Sequence, residues 1–353
     1  MSQQHREAWF SPEGSSAVVA GDNLAATAAL PSGAFTIVYL DPPFNTGRIQ
    51  RRERFVGSRL PDAAPSGEAG ASPQASASPE AGAAKARLSP AAPAPEGQGT
   101  RPSPAPSDSE TRIGEGVRSG FRGASYASVR TELARYNDRF EDFWGFLFPR
   151  LEEAWRLLAP DGTLYLHLDY REAHYAKVAM DALVGRECFV NEIIWAYDYG
   201  ARPKRRWPAK HDTILMYVKD PSGYHFDSAE VQREPYMAPG LVTKEKAARG
   251  KLPTDVWWHT IVSPTGKEKT GYPTQKPLGI LRRIIAASSR EGDWVLDLFA
   301  GSGTTGAAAA SLGRHFVCVD AHDDAVAVMR KRLPEARFID LRWDERSRAE
   351  GAG

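Results

Sequence analysis

The chain has 353 residues, 42% hydrophobic and 25% charged, with 45 Lys and Arg against 44 Asp and Glu. That length is enough to bury the core of one large or two ordinary domains. A net charge of +1 excludes a histone-like polycation and confines any nucleic-acid surface to a local patch.

In chain order, 17–20 reads as a short apolar strand, 23–30 as a helix and 36–40 as a buried strand. Residues 61–110 then break the pattern: Ala, Pro, Ser and Gly fill 37 of 50 positions, and Leu88 is the one large aliphatic side chain. Such a segment cannot bury enough apolar surface to offset its ordering entropy, so a disordered insertion is expected over 57–120. It is read as an inert surface insertion, with partner binding as the alternative. Beyond it, 140–158 has helical apolar spacing, and 163–168 alternates as a strand. A helix over 172–184 and strands over 190–196 and 213–218 follow. An irregular stretch extends to about 270, and after it come helix 277–290, strand 294–298, helix 304–312, strand 315–319 and helix 323–332. Seven strands separated by helices predict an α/β fold with a doubly wound, mostly parallel sheet, whose ligands bind beyond the carboxyl ends of the strands.

No apolar run reaches the roughly 18 residues of a membrane span, and the first ten residues carry no signal core. Cys188 and Cys318 lie far apart without metal-ligand spacing. The expectation is a cytoplasmic protein with no disulfide framework, no metal and no membrane contact.

Two loops carry chemistry. After strand 294–298 the chain runs through Phe299, Gly301, Ser302, Gly303, Thr304 and Gly306 into an Ala-rich helix, and the next strand ends near Asp320. Glycines let backbone turn sharply and a ligand approach without a Cβ in the way. A carboxylate at Asp320 suits a pair of ribose hydroxyls. The pattern is formally GxGxxG, so a nicotinamide site stays open beside other nucleoside cofactors and beside a plain strand–helix turn; a P-loop does not, because no GK[ST] follows.

Strand 36–40 leads into Asp41, Pro42, Pro43 and Phe44. Two prolines stiffen the turn and remove two N–H donors. What remains is a cluster of acceptors, the Asp41 carboxylate and the Pro42 carbonyl, beside an aromatic ring. Such a cluster suits an amino group on a planar base. Accepting both of its protons favours a pyramidal nitrogen whose lone pair can attack an electrophilic methyl.

With these motifs the chain resembles the β group of S-adenosylmethionine-dependent DNA amino-methyltransferases, a circular permutation of the Rossmann-like methyltransferase fold. Asp41–Phe44 looks like the family's catalytic motif and Phe299–Gly303 like its FxGxG cofactor motif. The Gly271–Pro277 stretch and the Gly21-Asp22-Asn23 turn look like flanking parts of the cofactor site. The resemblance implies that Asp41 and the Pro42 carbonyl accept from the target amine and that Phe44 stacks on the extruded base. It also implies that Phe299, Gly301, Ser302, Gly303 and Thr304 line the cofactor pocket. Asp297 is then near the cofactor's amino acid end, Asp320 on the ribose, Asp22 on the adenine amine and Lys276 near the carboxylate. The catalytic domain would comprise 1–56, 121–219 and 271–345, with a target-recognition region at 220–270 and a flexible tail at 346–353. With Asp before Pro-Pro, the resemblance implies adenine N6 rather than cytosine N4 as the target.

On the nucleic-acid side, Arg202, Lys204, Arg205, Arg206 and Lys210 crowd around Trp207 between two predicted strands. A solvated face and a phosphate-binding loop are the alternatives, and position at the active edge of the sheet favours double-stranded DNA. Trp257, Trp258 and His259 fall in the expected target-recognition region. His211, ahead of Asp212, reads as structural rather than as a base. A homodimer and a restriction endonuclease partner are both compatible with the sequence, which decides neither.

Overall fold

The structure, a computed structural model, describes residues 9–44, 142–200, 202–263 and 265–342 with their side chains, and 48–59, 112–119 and 125–138 as backbone. The chain divides into two units, Met1–Arg51 with Arg135–Gly353, and Arg52–Ala134.

Strand β1 (Ala17–Ala20), helix α1 (Asn23–Thr27) and strand β2 (Phe35–Leu40) open the larger unit. Strands β3 (Arg48–Arg59), β4 (Arg112–Ser119) and β5 (Ser125–Asp138) form a separate three-stranded sheet in the order β3-β5-β4, with β4 and β5 antiparallel. The expected disordered insertion therefore gives way to strand at 57–59 and 112–119. Ile113 and Val117 supply there the β-branched aliphatic residues that 61–110 lacks. Residues 60–111 and the tail 346–353 lie outside the described residues.

The larger unit continues with α2 (Phe143–Leu157), β6 (Leu158–Asp169), α3 (Ala173–Val184), β7 (Phe189–Ala196) and β8 (His211–Val218). Then come α4 (Lys244–Arg249), β9 (Val256–Trp258), α5 (Leu278–Ser288), β10 (Trp294–Asp297), α6 (Thr304–Ser311), β11 (His315–Asp320), α7 (Asp323–Arg332) and β12 (Arg337–Asp340). One sheet collects nine of these strands in the order β12-β1-β11-β10-β2-β6-β8-β7-β9. Among the described residues, β8 alone runs against the others. The two strands beyond the expected seven are the edges, β9 and β12. β9, Val-Trp-Trp, is three residues long and β12, Arg-Phe-Ile-Asp, sets two apolar residues between charged ones, so neither offers the longer run that announces a strand.

The central strands are buried on both faces, as parallel strands between helical layers must be. Val18, Ile37, Tyr39 and Val295 pack under α5, α6 and α7 through Ile284, Ala308 and Val326. Val19, Val38, Leu40 and Leu296 pack on the opposite face against Leu147, Leu151 and Ala176 of α2 and α3. Cys188 and Cys318 are free and buried. No helix among the described residues is long and apolar enough to cross a membrane. This wrapping leaves the loops after β1, β11, β10, β2, β6 and β7 at one edge of the sheet.

Candidate active site

Strands β2 and β10 are parallel neighbours with Tyr39 opposite Asp297, so the loops that follow them leave the sheet side by side. On the β10 side, the Gly301 amide donates to Asp320 Oδ2 at 2.8 Å and the His322 amide to Oδ1 at 2.9 Å. Burial raises the Asp320 carboxyl above its ordinary value. Gly301 and Gly303 adopt φ of 49° and 72°, the left-handed region that favours glycine. A Cβ on Gly303 would stand 2.8 Å from Met329 Cγ, and one on Gly306 2.9 Å from Cys318 Sγ. These two glycines therefore serve close helix packing, whereas Gly301 faces the Tyr272 ring. Arg332 donates to the Ser302 carbonyl at 3.2 Å and to the Thr304 hydroxyl at 2.9 Å, which fixes the start of α6. The Phe299 ring packs 6.0 Å from that of Phe146.

Asp297 points inward and is 2% exposed. Its Oδ1 accepts from the Phe299 amide at 2.9 Å and its Oδ2 from the Thr305 hydroxyl at 2.5 Å. Burial pushes its carboxyl up to about 7, against the opposing pull of those hydrogen bonds. In this placement Asp297 braces the loop from beneath; the sequence expectation had it at the cofactor's amino acid end. Asp22 caps α1 by accepting from the Leu24 and Ala25 amides, and its other oxygen takes Arg150 at 2.9 Å. Its Oδ1 thus serves the helix, while Oδ2, beside Arg150, keeps an acceptor site at a half-exposed side chain, where an adenine amine was expected.

On the β2 side, Asp41 is held by Lys276, whose Nζ lies 2.8 Å from Oδ1 and 2.7 Å from Oδ2. The same ammonium stands 4.6 Å from the centre of the Phe44 ring. The Lys276 carbonyl accepts from the Thr304 hydroxyl at 3.1 Å. One residue therefore ties the loop carrying Asp41, Pro42, Pro43 and Phe44 to the glycine loop. Its ammonium sits on the Asp41 carboxylate, whereas the resemblance directed it toward a cofactor carboxylate.

Sequence reasoning passed over a buried polar chain under Phe44. The Tyr39 hydroxyl is 2.6 Å from His167 Nδ1, His167 Nε2 is 3.3 Å from Asp212 Oδ2, and the Tyr197 hydroxyl donates to Asp212 Oδ1 at 3.0 Å. Burial opposes ionisation of Asp212, yet His167, Lys276 and Tyr197 together hold its carboxyl below the ordinary value. The residues come from β2, β6, β8 and the end of β7, and no local motif announces them. Asp212 is the buried member of the His211-Asp212 pair. Both line a cleft of about 450 Å³ together with Phe44, Tyr170, Trp195, Tyr197 and Lys276. An aromatic cleft with a few polar groups, opening beside the Asp41 loop, has the make-up of a pocket for a planar ring.

The basic cluster lies on the loop from β7 to β8. Arg202 pairs with Asp198 at 3.2 Å, Arg206 donates to the Tyr170 hydroxyl at 3.1 Å, and Lys210 donates to the Tyr199 and Gly200 carbonyls. Lys204 and Arg205 are exposed, and among the described residues neither makes an ion pair. Of the three aromatic candidates further on, Trp257 is buried and donates to the Thr254 carbonyl, and the His259 carbonyl accepts from Trp195. Trp258 is exposed.

A family model described as DNA methylase matches residues 35–331. The Type II methyltransferase M.HpaI of Haemophilus parainfluenzae is 32% identical over 199 residues, 56% of this chain and 61% of its own length. The DNA adenine methyltransferase YhdJ of Escherichia coli (strain K12) is 32% identical over 202 residues, 55% of this chain and 68% of its own. The match thus spans less than two thirds of the Haemophilus relative. Among solved structures, the PvuII DNA methyltransferase (cytosine-N4-specific) superposes with a TM-score of 0.53 at 13% identity, covering 93% of this chain and 95% of its own. That likeness is one of fold.

Proposed function

The chain belongs to the DNA methylase family, and from that premise we propose that it transfers a methyl group from S-adenosylmethionine to the exocyclic N6 amine of an adenine flipped out of duplex DNA. The observation that carries this reading is the Lys276 tie, which holds an amine-accepting loop against a glycine loop.

The residues fit the cofactor. The glycine loop has backbone in the left-handed region. Asp320 spends one lone pair per oxygen on backbone amides, leaving about two of its four acceptor sites for ribose hydroxyls. Phe299, Gly301, Ser302, Gly303, Thr304 and Asp320 would hold the group. When bound, it supplies an electrophilic methyl on a sulfonium with a neutral leaving group.

The chain's own residues do the rest. Asp41 and the Pro42 carbonyl accept the two amine protons and so free the nitrogen lone pair, while Phe44 stacks on the base and fixes its plane. Lys276 must yield its place on Asp41 for the amine to enter. The buried Tyr39–His167–Asp212–Tyr197 chain holds the floor under Phe44. After transfer the surplus proton leaves to solvent. Lys204 and Arg205 suit DNA phosphates, and 220–270, which includes the exposed Trp258, is the proposed target-recognition region. The reading requires neither a second copy of the chain nor an endonuclease partner.

Adenine is favoured by Asp41 ahead of Pro-Pro and by the Escherichia coli relative. Digesting DNA labelled by the protein and separating its nucleosides tests the base: label in N6-methyladenine is expected, and label confined to N4-methylcytosine would overturn it. Asp41→Ala is expected to abolish transfer while cofactor affinity stays within a few-fold. Loss of cofactor binding in that variant would move Asp41 into the cofactor pocket.

A further inference from the structure

The loop between β7 and β8 is long for an antiparallel connection, which usually takes about 2–5 residues. The Tyr197 amide closes its base on the Lys210 carbonyl at 2.9 Å, and the Lys210 ammonium clasps the carbonyls of Tyr199 and Gly200. Tyr197, Tyr199, Ala209 and His211 at that base line the aromatic cleft beside Phe44. From this stapled base the loop presents Trp207, between Arg206 and Pro208, with 94% of its surface exposed. A large rigid ring is a costly thing to leave in water, and the nearby cleft, which has room for a ring, does not take it. Its neighbours Lys204 and Arg205 are exposed cations, which suit a partner of negative charge.

We propose that Trp207 enters the base stack of duplex DNA at the place vacated by the base that fills the cleft, so that the loop both grips the phosphates and keeps the duplex open. The inference rests on the methyltransferase reading and adds to it the residue that stabilises the extruded state. A planar indole matches the ~3.4 Å spacing of stacked bases, and an aromatic side chain stacked on bases offsets the cost of unstacking. The cleft accepts one ring, and two residues before its lining Ala209 the same loop offers a ring of its own.

The test uses the full chain, S-adenosylmethionine carrying a labelled methyl group, and native unmethylated plasmid DNA. Trp207→Ala is expected to lower transfer at least tenfold with cofactor affinity unchanged, and Trp207→Phe, which keeps a flat ring, to retain half of it or more. Adding the same DNA should quench part of the wild-type tryptophan fluorescence, and Trp207→Phe should lack that part. Alanine as active as wild type, phenylalanine as poor as alanine, or equal quenching in wild type and Trp207→Phe would each overturn the proposal. No transfer by the wild type to any DNA would defeat the methyltransferase reading instead, and the quenching difference would still decide whether Trp207 meets DNA.

Discussion

Lys276 offers one ammonium to Asp41 and its backbone carbonyl to Thr304. Its side chain and that of Asp41 are only 10% and 16% exposed, so the pair is shielded from salt more than a surface contact would be. It presents to Asp41 a nitrogen donor above Phe44, the same arrangement that the target amine would adopt. Asp297, on the neighbouring strand, has the opposite problem of a carboxyl buried with no cation paired to it among the described residues. Its folded-state value near 7 exceeds the ordinary ~3.9 of an unfolded Asp. Between those values the folded chain holds a proton that the unfolded chain has lost, so stability falls as pH rises, by on the order of 1.4 kcal/mol per unit, and levels off above about 7. Asp297→Asn, which cannot titrate, is therefore expected to gain on the wild type in urea midpoint from pH 5 to pH 7 and to run parallel to it above pH 8. Parallel curves over the whole range would show that Asp297 is not protonated in the fold.

Among the elements, the turn from β10 into α6 is the most constrained. Gly303 sits in the left-handed region with Met329 already against the space a side chain would need. Gly303→Val should cost about 2–4 kcal/mol from backbone and overlap together, lower the melting temperature by several degrees and weaken cofactor binding. Full stability in that variant would mean that α7 can move away. This turn was legible from its residues alone, because glycine spacing between an apolar strand and a helix has few other uses. The central strands were legible too, since burial on both faces writes continuous apolar runs such as 37–40 and 294–296. The edge strands β9 and β12 were not, because each pairs along one side only and is three or four residues long, too short to write a periodic pattern. Nor was the reversed β8: its Thr-Ile-Leu-Met-Tyr-Val reads as buried strand in either direction. The particular side-chain contacts that join these segments escaped. Lys276 and Asp41 are 235 residues apart, and the His167–Asp212 contact joins side chains whose local sequence points to no shared task.

At the scale of the whole molecule, two units share one chain, and the composition of 61–110 offers almost nothing that a core could use. Deleting 61–110 is expected to leave cofactor affinity and the melting temperature unchanged, as differential scanning of both proteins would read. A broadened or much lower transition would mean that the segment contributes packing. The larger unit has a different dependence on its full length. Strand β1 lies between β11 and β12, with Ala20 opposite both Asp320 and Asp340. A ribosome adding about 5–20 residues per second therefore needs about 15–60 s, after making β1, to deliver both of its partners. Throughout that interval Ala17–Ala20 is an apolar stub with neither neighbour, in the care of whatever chaperones attend the nascent chain. A message truncated before β11 would yield a polypeptide whose opening strand never finds its place.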